Sequence, residues 1–92
     1  MMMTKGERIR DILQNENPEA ILYDGMDEAL MGIHRNAVED RSVGVYSYIS
    51  YISILVDRDK MTEEEAVEFF DYNVEGLHLG KQQPLIIDDT GV

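Results

Sequence analysis

Apolar positions along this chain change period several times, and each change marks an element. Ile9, Ile12 and Leu13 share one face at helical spacing. Glu7 stands three residues after Thr4, the spacing of a capping box, so a first helix is expected over 5–15. Asn17-Pro18-Glu19 joins an N-cap side chain to a proline and an acid, and Gly25 follows Asp24 where a helix would stop. A short helix over 18–24 burying Ile21 and Leu22 is the reading, with a strand over 20–23 as its competitor.

The period then shortens. Ala29-Leu30-Met31-Gly32-Ile33 leads into His34-Arg35-Asn36, and Val43-Gly44-Val45-Tyr46 follows a charged turn at Glu39-Asp40-Arg41. Strands over 28–36 and 42–46 are expected to pair as a hairpin, with Gly32 and Gly44 facing one another at a bulge or a close helix contact. Tyr48 to Asp59 is the most apolar segment. Its composition invites a strand, but Ile49, Ile52 and Val56 form one helical face and Tyr48, Tyr51, Ile52 and Leu55 its neighbour, so a helix over 47–59 is expected behind Ser47 as N-cap. A helix apolar over so much of its circumference must be covered on more than one side. That points to a central helix or to a homodimer interface through Tyr48, Tyr51, Ile52 and Leu55.

Thr62-Glu63-Glu64-Glu65 is a second capping box and opens a helix over 63–75 that buries Ala66, Phe69, Phe70 and Val74. Glu64, Glu68, Asp71 and Glu75, at spacings of four, three and four, put carboxylates along its outer edge about 5–6 Å apart. Pro84-Leu85-Ile86-Ile87 reads as a last strand over 84–88. The expected fold is α+β: one domain over 1–92, about four helices on a three-stranded antiparallel sheet, with a frayed start at 1–4 and a frayed acidic tail at 88–92.

Charge narrows the function. Nineteen acids against eight bases give a net charge of -11, which argues against direct nucleic-acid binding, since that needs a basic surface facing the phosphates. The imbalance is greatest late in the chain, where 57–92 holds ten acids and three bases. Lys5, Arg8 and Arg10 gather at the other end, so the two ends are expected to pair within the fold or across a dimer. The chain has no cysteine, which excludes a disulfide framework, a thiolate metal site and a cysteine nucleophile. No apolar run approaches the ~20 residues of a membrane span, and 1–5 lacks the apolar core of a secretory leader. A cytoplasmic protein without a cofactor is expected.

Candidate chemistry is sparse. His34 and His78 are the only histidines, and the serines Ser47, Ser50 and Ser53 are explained by a cap and a narrow polar stripe, so catalysis is the least favoured reading. Asp57-Arg58-Asp59-Lys60-Met61 begins like a calcium loop, but Met61 and Thr62 stand where a ligand and a glycine are needed, and no metal site is expected. Tyr46, Tyr48, Tyr51 and Tyr72 offer either core packing or a binding patch.

From Asp24 onward the chain resembles a family of small, uncharacterised proteins encoded by bacteriophages. The resemblance is carried by Asp24-Gly25-Met26-Asp27-Glu28-Ala29-Leu30-Met31-Gly32, then Val45-Tyr46-Ser47-Tyr48, Met61-Thr62-Glu63-Glu64-Glu65-Ala66-Val67-Glu68-Phe69-Phe70, Asn73-Val74-Glu75-Gly76 and Pro84-Leu85-Ile86-Ile87. It covers roughly 20–88 and lapses at Leu77-His78-Leu79-Gly80-Lys81-Gln82-Gln83, where members more often have a small or aromatic residue, then Gly-Glu and Thr-Pro. It implies a phage or prophage origin and a host-cytoplasm setting, and brings no catalytic residues. The leading expectation is a small acidic protein that binds a basic surface of a host protein as an inhibitor or modulator, for instance against host defence or as a nucleic-acid mimic. A homo-oligomeric assembly module is the alternative, and a small-ligand or enzymatic role the third.

Overall fold

The computed structural model describes residues 2–75 and 80–91, without the side chain of Glu75. Three α-helices, α1 (Lys5–Glu16), α2 (Tyr48–Asp57) and α3 (Glu63–Phe70), accompany three strands, β1 (Leu30–Asn36), β2 (Arg41–Ser47) and β3 (Leu85–Ile87). The sheet runs in the order β1-β2-β3 and is mixed: β1 pairs antiparallel with β2, and β3 parallel with it. The fully antiparallel sheet expected from sequence is therefore corrected. Two helices lie between β2 and β3 and carry the chain back to the end of the sheet where β2 began, so the last strand runs the same way.

Both capping boxes are present. The Thr4 hydroxyl accepts from the Glu7 N–H while Glu7 accepts from Thr4 N, and Thr62 and Glu65 repeat the exchange at α3. Thr4, the last residue of the stretch expected to fray, is thus hydrogen-bonded into the start of α1. Ser47 caps α2 as its sequence suggested, accepting from Ser50 N at 3.1 Å. A second cap comes from far along the chain. Asp89 accepts from the Ser47 hydroxyl at 2.6 Å and from Ile49 N at 3.0 Å. Asp89, inside the expected free tail over 88–92, is thus tied to the start of α2.

The helix expected over 18–24 does not form. Asn17 accepts from Ala20 N through its carbonyl and from Glu19 N through its side chain, which makes Asn17-Pro18-Glu19-Ala20 a turn. The competing strand over 20–23 does not form either. Ile21 N donates to the Gln82 carbonyl, a bond that a helix would have turned inward. The Asn17 amide meanwhile donates to the Ser42 carbonyl at 2.8 Å and to Gln82 at 2.6 Å, fastening the end of α1 to β2 and to the chain before β3.

The core lies between the helices and the sheet face that carries Leu30, Tyr46 and Ile86. It gathers Met26, Ala29, Leu30, Tyr46, Tyr51, Ile52, Leu55, Ala66, Phe70 and Val74. Four tyrosines enter it. Tyr23 packs on Tyr46 and Tyr51, while Tyr48 and Tyr51 meet Phe70 edge-on with ring centroids 4.8 and 5.2 Å apart. Ile12, placed inward by its spacing, is about half exposed, and Leu13 alone of its group is sealed. A bulge at Met31 shifts the register, so Gly32 faces Val45 and Gly44 faces Ile33. The close helix approach expected here occurs at Gly44, whose missing side chain leaves room for Leu13 and Leu30. Gly6 marks a tighter one. It lies on the backbone of the short helical turn Asp27–Ala29, so α1 and this turn meet main chain to main chain.

Candidate functional site

The outer side of α3 is built by its own periodicity. Ala66, Phe70 and Val74 are buried, which turns Glu64 and Glu68 to the opposite side, and Asp71 follows them. All three acids are exposed. Glu63, Glu64 and Glu65 occupy the first turn, where the helix dipole favours negative charge. Beyond Phe70 the helix widens into a single π-turn over Asp71–Glu75. The wider turn disturbs the regular ladder, and Asn73 answers by donating its side-chain amide to the Phe69 carbonyl at 3.1 Å. The outcome is that Val74 stays in the core while Tyr72 stands 83% exposed beside the acids. Phe69, expected inside, is 38% exposed at the flank. The side chain of Glu75, the fourth member of the expected edge, lies outside the described residues.

The ion pairs among the described residues lie away from the ridge. Arg10 pairs with Asp27 at 2.6 Å, Arg35 grips Glu16, Arg41 pairs with Glu39, and Arg58 pairs with Asp59. Arg8 donates to the Met3 carbonyl. Among the described residues, the carboxylates of Glu64, Glu68 and Asp71 meet no cation or hydrogen-bond donor. Among the described residues, the basic start does not pair with the acidic end within the chain: Arg10 goes to Asp27.

Glu16, Asp59 and Asp89 are shifted, each with a visible cause. The Arg35 guanidinium holds Glu16 below the ordinary range, and the Ser42 hydroxyl adds to it. Arg58 lowers Asp59, and the Ser47 hydroxyl followed by the Ile49 N–H lowers Asp89. Burial pushes the Tyr46 phenol up to about 12, although its oxygen accepts from Tyr23 N.

The residues proposed for a homodimer interface have a different location. Tyr51, Ile52 and Leu55 are buried within a single chain, Leu55 to 1% exposure, and Tyr48 leans half-buried on Phe70. Much of the apolar circumference of α2 faces β2, α3 and the turn at Asp27–Ala29, while Ile49 stays 46% exposed. That removes the reason for a second copy to cover these four residues.

Two open grooves stand out among the described residues. The larger, about 870 Å³, lies where the end of α1 meets the hairpin tip and is lined by Glu16, Asn17, Arg35, Arg41 and Lys81 among others. Its acids and arginines are largely mutually paired. The smaller, about 210 Å³, is bounded by Gly25, Glu28, Ser53, Asp57 and Arg58. His34 is exposed on β1 and lines neither groove, and His78 lies outside the described residues. Asp57 accepts from Ser53 and Asp59 from Arg58, so the calcium-loop look of 57–61 is spent on helix-end bonds. Among the described residues, no group of three or more histidines and acids is placed to hold a metal ion, and no helix is long and apolar enough to cross a membrane.

Comparison of the chain with family models, curated proteins and solved structures finds no match. The reading of the site therefore rests on its own geometry. Sequence reasoning reached the acids of the ridge but grouped Tyr72 with the tyrosines of the core. Helical phase was the available signal: Tyr72 follows Glu68 by four residues and falls on the acidic side.

Proposed function

We propose that this chain acts without catalysis, by presenting the outer side of α3 to a basic surface of another protein. The observation that supports this most directly is the set of exposed carboxylates on Glu64, Glu68 and Asp71, left without a cation among the described residues while the arginines are engaged elsewhere. Unneutralised charge of one sign on one helix raises the encounter rate with an oppositely charged partner and orients it on arrival. The resemblance to small bacteriophage-encoded proteins makes a host protein in the host cytoplasm the partner, with inhibition or modulation as the effect. The assembly-module alternative is less well supported, because Tyr51, Ile52 and Leu55 of α2 are buried inside one chain.

The test is capture from host lysate across a salt series. Wild type should retain a partner at low salt and release it as salt rises. The triple variant Glu64→Lys, Glu68→Lys, Asp71→Lys should lose it, whereas Asp11→Lys, Glu19→Lys, Asp24→Lys, with the same change in net charge on other exposed acids, should keep it. Equal behaviour of the two triple variants would sink the proposal, as would binding indifferent to salt.

A further inference from the structure

The segment that carries β3 is fastened at both ends and lightly covered between them. At its start Gln82 is held twice: its carbonyl accepts from Ile21 N at 3.0 Å and its side chain from the Asn17 amide at 2.6 Å. Pro84, two residues on, is buried. At its end the Asp89 carboxylate accepts from Ser47 and Ile49, which lie 42 and 40 residues back in the chain. Between these points three residues of β3 line the edge of the sheet against β2. Ile86 packs on the core, whereas Leu85 and Ile87 are 45% and 47% exposed.

The two fastenings differ in kind. Gln82 is bonded to a half-buried Asn17 that also holds the Ser42 carbonyl, and the proline ring fixes the backbone beside it. That end belongs to the frame. Asp89 sits on a helix start that does not depend on it. Ser47 already caps α2 by accepting from Ser50 N, and Ile49 is exposed, so water can take the place of the carboxylate at its N–H. What Asp89 adds is a pair of charge-assisted bonds that link the end of the strand to the helix. A segment with one partly buried apolar anchor and surface hydrogen bonds opens before the frame around it.

We infer that residues 85–89 form a strap that opens as a unit about Pro84, with the Asp89 carboxylate as its clasp. Opening bares the outer edge of β2 from Val45 to Ser47 while the hairpin and the three helices hold.

Amide hydrogen exchange on the full chain, read residue by residue by NMR across low denaturant concentrations, tests this. In wild type the protected amides of 85–87 should exchange at least about tenfold faster, relative to their unfolded-chain rates, than the slowest amides of the hairpin and of α2. Their rates should scarcely respond to denaturant, because the strap exposes little surface as it leaves. Asp89→Ala should speed them by about ten- to a hundredfold. Asp88→Ala removes the same charge from a carboxylate that bonds Thr90 beside it, and should leave 85–87 within about twofold of wild type.

Amides of 85–87 that share the rates and denaturant response of the hairpin would mean that the strap leaves only when the whole domain unfolds, and would overturn the inference. That comparison needs no variant. An Asp89→Ala protein with 85–87 as slow as in wild type, or an Asp88→Ala protein that speeds them equally, would refute the clasp. Asp89→Asn keeps an acceptor without the charge and should fall between wild type and Asp89→Ala; exchange at or below the wild-type rate would refute the clasp as well.

Discussion

Replacing Gly6 by alanine puts a methyl group where α1 rests on the main chain of Asp27. The added carbon would fall on the Asp27 carbonyl oxygen and 2.6 Å from its carbon, whereas ordinary contact begins near 3.4 Å. Both obstacles are backbone, so no flexible side chain can swing aside. The helix and the turn must separate by roughly an ångström, and overpacking of that kind costs about 1–3 kcal/mol. Alanine returns at most about 1 kcal/mol of helix propensity. With a backbone clash at the upper end of the range, the net loss is about 2 kcal/mol. A domain of this length holds on the order of 5–14 kcal/mol in total. Each kcal/mol moves its melting temperature by roughly 4–8 °C, so Gly6→Ala should melt roughly 8–16 °C below wild type in a thermal scan followed by circular dichroism. Gly32→Ala is the control, since a methyl group there meets no atom within 4 Å, and it should stay within about 0.5 kcal/mol of wild type. A Gly6→Ala protein that melts at or above wild type would refute the close approach of α1 to this turn.

Two further perturbations address the tail and the tyrosine core. The Asp89 carboxyl is held below its ordinary range by Ser47 and Ile49, so the stability it contributes is complete above about pH 4 and is lost as pH falls through its lower folded value. Asp89→Asn should lower the melting temperature at neutral pH and flatten the acid side of the stability profile; an unchanged acid slope would show that the tail is not coupled to α2. Tyr46→Phe leaves the Tyr23 N–H without its acceptor and should cost about 1–3 kcal/mol in denaturant unfolding. Because the Tyr46 phenol is raised to about 12, its contribution is complete below about pH 10 and falls as the unfolded chain ionises first. The variant should therefore lose less stability than wild type between those values. Tyr23→Phe is the counterpart: the Tyr23 hydroxyl is buried without a partner, so its removal should be neutral or stabilising.

Elements declared by local chemistry were readable from residues alone. Thr4 with Glu7, Ser47, and Thr62 with Glu65 mark helix starts that need nothing from the rest of the chain, and the hairpin turn between Asn36 and Arg41 lies where charged residues interrupt two apolar runs. Asn17-Pro18-Glu19 misled because a cap followed by proline opens a turn as well as it opens a helix. The choice was made by Gln82, a partner 65 residues away that no local window contains. The direction of β3 was hidden for the same reason, since three apolar residues in a row read alike in either orientation. At the ridge, Glu64, Glu68 and Asp71 were legible from spacing. The separate position of Tyr72 was within reach of helical phase, since it follows Glu68 by four residues, but it was read together with the other tyrosines.

The parallel pairing of β3 with β2 bears on the order in which the chain assembles. Val45 lies opposite Leu85, so this ladder closes a loop of about forty residues, whereas the hairpin closes across a four-residue turn at 37–40. Local closure is entropically cheaper and comes first. Through that interval one side of β2 displays unpaired amides and carbonyls, a template on which another nascent strand can add. The three residues of β3 therefore act late as a guard against aggregation, and the protein is most vulnerable between formation of its hairpin and arrival of its last strand.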